Sequence, residues 1–223
     1  MEHPILTTIR RTGFIPFGWF APGESDGVPH DAKFVILLGN AGPDMFRRFA
    51  RERNPAVDQI DAWTEDVIST LAMDLDATAV FPFGEKLYPF LTWAKRAGAG
   101  HTSPLGLNIH HSYGLWHAYR AALLFPVEFD LPKQSAGSHP CESCVDKPCL
   151  SACPVNAFSG TSYDVDACAS HVGSLTGTDC FDNGCKARRA CPVGQGFAYH
   201  PFHAQFFMRA FVEARRKSAG KAR

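Results

Sequence analysis

Cys141-Glu142-Ser143-Cys144-Val145-Asp146-Lys147-Pro148-Cys149-Leu150-Ser151-Ala152-Cys153-Pro154 opens a stretch that runs on through Cys168, Cys180 and Cys185 to Cys191-Pro192. It holds all eight cysteines of the 223-residue chain. They fall as two quartets, Cys141, Cys144, Cys149, Cys153 and then Cys168, Cys180, Cys185, Cys191, and each quartet ends in Cys-Pro. Residues 1–140 contain no cysteine. In a reducing compartment thiols at this density mean metal ligation far more often than disulfides. The chain therefore divides into a part that can hold metal and a part with another purpose.

The Cys-Pro endings and the step Cys149-x-x-x-Cys153-Pro154 resemble the ligand runs of bacterial two-cluster ferredoxins, in which the fourth cysteine of each run serves the other cluster. That resemblance implies two [4Fe-4S] clusters. Cluster 1 would take Cys141, Cys144, Cys149 and Cys191, and cluster 2 would take Cys153, Cys168, Cys180 and Cys185. Pro154 and Pro192 would each begin a short helix, since a fixed φ and a missing amide hydrogen are harmless at a first helical position. Amides there would point at sulfur. The runs are stretched relative to the ferredoxin pattern, with four residues between Cys144 and Cys149, four between Cys180 and Cys185, and five between Cys185 and Cys191. Two structural zinc sites, making the chain a zinc-stapled interaction module, would use the same eight thiolates and stay open as an alternative.

Charge narrows the partners. With 22 basic and 22 acidic residues, no global field recruits nucleic acid or an anionic membrane. Apolar runs such as Ala121 to Val127 fall far short of the roughly 20 residues of a membrane helix. Arg10-Arg11 before Phe14-Ile15-Pro16-Phe17-Gly18-Trp19-Phe20 resembles a twin-arginine export signal. The run contains a proline and a glycine and lacks a small-x-small cleavage site, so a helix leading into a strand and a cytoplasmic location are expected instead. A redox partner protein or a small-molecule acceptor is the expected partner. Arg215-Arg216-Lys217 onward reads as a frayed, solvated tail and not as an RNA contact.

Residues 1–132 alternate helix and strand patterns. Val57, Ile60, Trp63, Val67 and Leu71 recur at helical spacing, and Lys33 to Gly39 is a short apolar run closed by a turn, as a buried strand would be. Leu87 to Arg96 predicts a helix stopped by Gly98 and Gly100. Leu105 to Ile109, a turn near Ser112-Tyr113-Gly114 and a strand from Leu115 to Phe129 follow. Residues 133–138 form a polar linker, 139–200 the cysteine domain, and 201–223 a helix with Phe202, Phe206, Phe207, Ala210 and Phe211 on one face, ending in the basic tail.

Arg96-Ala97-Gly98-Ala99-Gly100, Leu105-Gly106-Leu107-Asn108-Ile109, Tyr113-Gly114-Leu115-Trp116, Leu123 to Pro132 and Asp166-Ala167-Cys168-Ala169-Ser170-His171 resemble, in order, the segments of epoxyqueuosine reductases across residues 90–197. The resemblance implies an α+β fold: a nitroreductase-like mixed sheet with flanking helices, followed by a two-[4Fe-4S] ferredoxin-like domain. Corrinoid reductive dehalogenases share the layout, and in these enzymes the clusters pass electrons to cobalt. It also implies a cobalamin pocket near His110 and His111, with Gly98, Gly100 and Gly106 allowing close backbone approach. Counting back from Arg96, the family's catalytic acid falls on Gly84, with Glu85 beside it, so epoxyqueuosine reduction on tRNA is not carried over. The expected function is electron transfer, relaying single electrons through two clusters to an acceptor in or docked on the N-terminal domain. A cobalamin-dependent reductase or corrinoid-reducing protein is the alternative.

Overall fold

The computed structural model describes every residue except 1, 2, 30, 57, 58, 133, 135, 136, 222 and 223, and of 219–221 only the backbone. The chain folds as two compact units. The first comprises residues 1–100 with 117–138, and the second residues 101–116 with 139–223. The expected first domain runs unbroken to residue 132, whereas the segment 101–116 belongs to the second unit. It packs with the cysteines.

In chain order the elements are α1 (Pro4–Arg11), β1 (Ile15–Phe20), β2 (Phe34–Ala41), α2 (Asp44–Glu52), α3 (Ile60–Asp74), β3 (Thr78–Val80), α4 (Phe90–Arg96), β4 (His101–Thr102), β5 (Asn108–Ile109), β6 (His117–Phe125), α5 (Pro148–Ser151), α6 (Val165–Val172), α7 (Thr178–Asn183), α8 (Lys186–Arg189) and α9 (Pro201–Lys221). Arg10-Arg11 thus ends α1, which leads into β1 as expected.

The first unit is built on a sheet of order β1-β2-β6-β3 in which every neighbouring pair is antiparallel. The expected mixed sheet is corrected here. Helix-strand alternation suggested a parallel pair, and β2 and β3 do run the same way with α2 and α3 between them. The late strand β6 inserts between the two and is antiparallel to both. All eight residues of β2 are buried, as a continuous apolar run between two neighbours requires. A bulge separates Leu38 from Gly39. A Cβ at Gly39 would lie 2.1 Å from the Ala118 carbonyl oxygen and 2.6 Å from the Phe17 ring, so only glycine fits that approach.

Helix α1 opens on Pro4 at its first position, His3 accepts the Ile5 amide through Nδ1 (3.3 Å), and Ile5, Leu6 and Ile9 are buried. On α3 the buried stripe is Ile60, Trp63, Ile68 and Leu71. Val67 is only partly buried, and Val57 lies outside the described residues. The Trp63 ring stacks on Phe14 at 5.6 Å and meets Phe49 of α2 at 5.5 Å, while its indole N–H donates to Glu52 at 2.8 Å. Arg120 of β6, itself buried, donates to Asp61 and Thr64 of α3 and ties the sheet to that helix.

In the second unit β4 and β5 pair as a small hairpin, and four short helices carry or flank the cysteines. Segment 101–116 is held by a crossing of two glycines. A Cβ on Gly114 would lie 2.0 Å from the Val193 carbonyl oxygen, and one on Gly194 would lie 2.3 Å from the Tyr113 carbonyl carbon. Both glycines have positive φ, 57° and 73°, so close approach and backbone conformation each demand glycine. Two expectations are corrected. Pro154 and Pro192 lead into turns and not helices, and after Pro154 the Ala157 amide donates back to Cys153 Sγ at 3.3 Å. The tail from Arg215 is not frayed but continues α9 to Lys221, consistent with a run free of glycine and proline up to Gly220. No helix among the described residues is long and apolar enough to cross a membrane.

Candidate functional site

Short helices and tight turns bring the eight thiols inward. Cys149, Cys153, Cys180 and Cys191 are buried, and Cys141, Cys144, Cys168 and Cys185 are partly so. Lys147, in a left-handed conformation at φ 40°, turns the chain into α5 just before Cys149. On the other side, Cys168 lies in α6, Cys180 in α7, and Cys185 caps α8.

The thiols that feel one another fall into two neighbourhoods. Burial raises the Cys141 thiol to about 11, helped by Cys191, Cys149 and Cys144. Cys149 is raised by burial and then by Cys191 and Cys144, and Cys191 by burial and then by Cys144. The second neighbourhood is built the same way. Burial raises Cys168, with Cys153 and Cys180 adding to it, and burial raises Cys185, with Cys168 and Cys180 adding to it. Each neighbourhood thus mixes the two sequence quartets, drawing Cys191 to Cys141, Cys144 and Cys149, and Cys153 to Cys168, Cys180 and Cys185.

Chemistry follows from those shifts. Burial and neighbouring thiols favour the protonated form of Cys141, Cys149, Cys168, Cys185 and Cys191, so loading of a metal on them would release protons. Donors for sulfur are already in place. The Ala157 amide donates to Cys153 Sγ at 3.3 Å, and the backbone of Leu150, of Val193, and of Ala187 and Arg188 lowers the pKa of Cys149, Cys191 and Cys185 respectively against the rise that burial imposes. An apolar shell of Leu105, Ile109, Leu115, Ala157 and Ala187 packs against Cys149, Cys153 and Cys191, and Val172 and Val212 pack against Cys180. Among the described residues no three histidine, cysteine or acidic side chains converge on a single ion. A cuboidal cluster does not ask for that, since each thiolate bonds a different iron, whereas a lone tetrahedral zinc draws four sulfurs to about 2.3 Å. Four thiols per neighbourhood, amide donors to sulfur and an apolar shell fit a four-iron cluster.

The residues expected at a corrinoid pocket have local roles and fall in different units. Gly98 and Gly100 belong to the first. Gly98 ends α4 at φ 66°, donating to Lys95 (3.1 Å) while Ala99 reaches Ala94 (2.8 Å), the paired bonds of a Schellman cap. Gly106, His110 and His111 belong to the second. Gly106, φ 73°, closes the β4–β5 turn by donating to the Ser103 carbonyl at 2.9 Å. His110 is buried and its Nδ1 accepts the amides of Ser112 (3.0 Å) and Tyr113 (3.3 Å), with its ring stacked 4.2 Å from His111. That lone pair is spent on the turn.

Three groups escaped the sequence reading. Tyr163 stacks on Phe158 at 4.6 Å across a short bridge, and burial, with Cys168 adding to it, raises its hydroxyl pKa. The Arg188 guanidinium lies 4.7 Å from the Trp116 ring and 4.5 Å from Tyr199, and donates to the Leu115 carbonyl at 2.8 Å. His203 is buried and stacked 3.9 Å from Tyr199, and burial followed by the Arg188 charge pushes its pKa down to about 3. Nothing in the local sequence marks these residues: Arg188 owes its role to Leu115 and Trp116, dozens of positions away, Tyr163 to a hairpin that spacing does not reveal, and His203 to its burial against Tyr199 and the charge of Arg188.

No protein-family model matches the sequence, and no curated protein matches it. Solved structures do resemble its fold. An epoxyqueuosine reductase solved with an epoxyqueuosine-modified tRNA-Tyr stem loop aligns over 91% of this chain and 67% of its own at 18% identity and a TM-score of 0.52. The epoxyqueuosine reductase of Streptococcus thermophilus aligns over 88% and 66% at 16% identity and 0.54. The C. elegans B12-trafficking protein CblC aligns over 94% and 93% at 17% identity and 0.52. At these identities the likeness is one of fold, and the chain spans about two thirds of the length of the reductases.

Proposed function

We propose that this chain is an iron-sulfur redox protein whose second unit holds two [4Fe-4S] clusters, one on Cys141, Cys144, Cys149 and Cys191 and the other on Cys153, Cys168, Cys180 and Cys185. The observation that carries this reading is the sorting of eight thiols into two mutual neighbourhoods of four, each drawing one member from the other sequence quartet. When bound, such a cluster supplies one-electron acceptance and donation. The chain's own groups do the rest. The thiols release protons and hold iron, the amides of Ala157, Leu150 and Val193 offset the negative charge on sulfur, and the apolar shell keeps water from it.

A second reading concerns the acceptor. Fold likeness both to a B12-trafficking protein and to epoxyqueuosine reductases favours a corrinoid, which would make the chain a cobalamin-dependent reductase or a corrinoid-reducing protein. The tRNA partner of the solved reductase is not carried over to a chain whose charges balance. Anaerobic reconstitution tests the first reading: about eight iron and eight sulfide per chain are expected, in brown protein. A colourless chain holding two zinc ions overturns it. Titration with cob(II)alamin tests the second, and a cobalt EPR signal unchanged from free cobalamin at high protein excess rejects it.

A further inference from the structure

Helix α9 packs on α6 and α7 and leaves a groove of about 380 Å³ against them. Its inner lining is apolar: Val172 of α6 and Val212 of α9 are buried, with Phe181 of α7 partly buried beside them. These three side chains form one packed cluster with Cys180. The groove therefore opens next to a thiol of the second neighbourhood. Its outer lining is of another kind. Leu175, just before α7, is 96% exposed, and Arg209 and Arg216 reach the groove from α9 with Glu213 between them. Spacings of four and three residues hold all three on one helix face. Arg216 extends over the end of α6, where a Cβ on Gly173 would lie 3.9 Å from its Nη2. Neither arginine forms an ion pair among the described residues. Over residues 209–217 the cations Arg209, Arg215, Arg216 and Lys217 stand against the single acid Glu213, in a chain whose total charge is zero.

We propose that this groove is the docking face for a small acidic one-electron carrier protein, which delivers electrons to the cluster on Cys153, Cys168, Cys180 and Cys185. The inference rests on the iron-sulfur reading and adds the partner to it. An apolar cleft with an exposed leucine at its edge offers nothing to a phosphate backbone, whereas protein interfaces combine an apolar centre with a polar rim. The arginines on that rim complement acidic side chains, and rim charges of this kind speed encounter more than they tighten binding. That suits a carrier, which must leave after each electron, and redox encounters bury little surface. One electron leaves the reduced carrier, which is oxidised, and enters the cluster, which is reduced. No covalent bond forms or breaks, and no proton moves.

The full chain would be reconstituted anaerobically, assayed for iron and mixed in a stopped flow with reduced plant-type [2Fe-2S] ferredoxin, a small acidic carrier. Photoreduced deazaflavin, a small uncharged reductant that needs no docking face, is the control. Arg209→Glu combined with Arg216→Glu should slow reduction by ferredoxin about tenfold at low ionic strength, a difference that closes as salt rises. Deazaflavin should reduce variant and wild type equally fast. Leu175→Ser, at a site too exposed to affect folding, should slow the ferredoxin reaction at high salt as well, because apolar contact is not screened. Ferredoxin rates unchanged in both variants with about eight irons retained, equal slowing with both reductants, or a wild-type chain that deazaflavin reduces and ferredoxin does not would each overturn the docking face and leave the iron-sulfur reading intact. So would loss of tRNA stem-loop binding in the double variant at an unchanged ferredoxin rate, which would make the face a nucleic-acid site. A wild-type chain that binds no iron overturns the reading and the inference together.

Discussion

The two units solve the same problem with different materials. The first buries a hydrocarbon and aromatic interior, with Trp63 in contact with both Phe14 and Phe49 and every residue of β2 buried. The second has a thinner apolar shell, Leu105, Ile109, Leu115 and Ala187, wrapped round thiols. A hydrocarbon core stabilises by removal of apolar surface from water and needs no further component. An interior of thiols that holds metal, as proposed for the second unit, reaches full packing only with those cations. The first unit should therefore be self-sufficient and the second conditional.

The largest effect that could break this contrast is metal removal. Chelation under anaerobic conditions should collapse hydrogen-exchange protection in α6, α7 and α8 while β2 and β6 keep theirs, a segment-by-segment difference that mass spectrometry reads directly. Equal protection of both units after chelation would make the second unit as self-sufficient as the first. Within it, Cys153→Ser and Cys191→Ser should each cost one cluster and not the same one, as two distinct EPR losses.

Next in size is a change that leaves metal alone. Trp63→Ala in the first unit should cost about 3–5 kcal/mol, the usual range for deleting a large buried aromatic ring, measured by urea unfolding followed through protection of β2. The counterpart in the second unit is Gly114→Ala, which forces a Cβ to within 2.0 Å of the Val193 carbonyl oxygen and should release segment 101–116 with iron still bound. If Gly114→Ala leaves the protection of β5 unchanged, the glycine crossing is not what holds that segment.

Much of this contrast was legible in the sequence, and the rest was hidden for physical reasons. Lys33 to Gly39 could be read as a buried strand because continuous apolar runs of that length have few other uses. The cysteine quartets could be read as a candidate metal site because thiols at that density have few other uses in a reducing compartment. The antiparallel insertion of β6 between β2 and β3 could not, since strand order depends on pairing across more than 35 residues between β3 and β6 and leaves no local mark. The membership of 101–116 was hidden for a related reason. Leu105, Ile109 and Leu115 have no regular period, and what binds them is the meeting of Gly114 with Gly194. Gly98 illustrates the opposite hazard: a glycine read as room for a cofactor is needed for a helix cap.

The smallest expected effect, and the sharpest test of the contrast, is that the two units lose stability to acid in different windows. In the second unit His203 has a folded pKa near 3, below its ordinary 6.5. Below pH 6.5 the unfolded chain binds a proton that the folded chain refuses, so stability falls as pH drops from about 6.5 toward 3, with a limiting slope of about 1.4 kcal/mol per pH unit. In the first unit Glu52 is held below its ordinary 4.5, first by the hydrogen bond from Arg48 and then by that from Trp63, against the opposing pull of burial. A depressed acid stabilises above its unfolded pKa and loses that contribution as pH falls through the folded value, so this loss begins only below about 4.5. The carboxylate is well exposed, which makes its share small. His203→Phe, which preserves the stack on Tyr199, should flatten the loss of protection in α9 between pH 6.5 and 4.5 and leave β2 and α3 untouched. Glu52→Gln should alter only the first unit, and only below pH 4.5. If His203→Phe leaves the α9 profile as steep as before, the buried imidazole is not the source of the second unit's acid sensitivity, and the two windows merge into one.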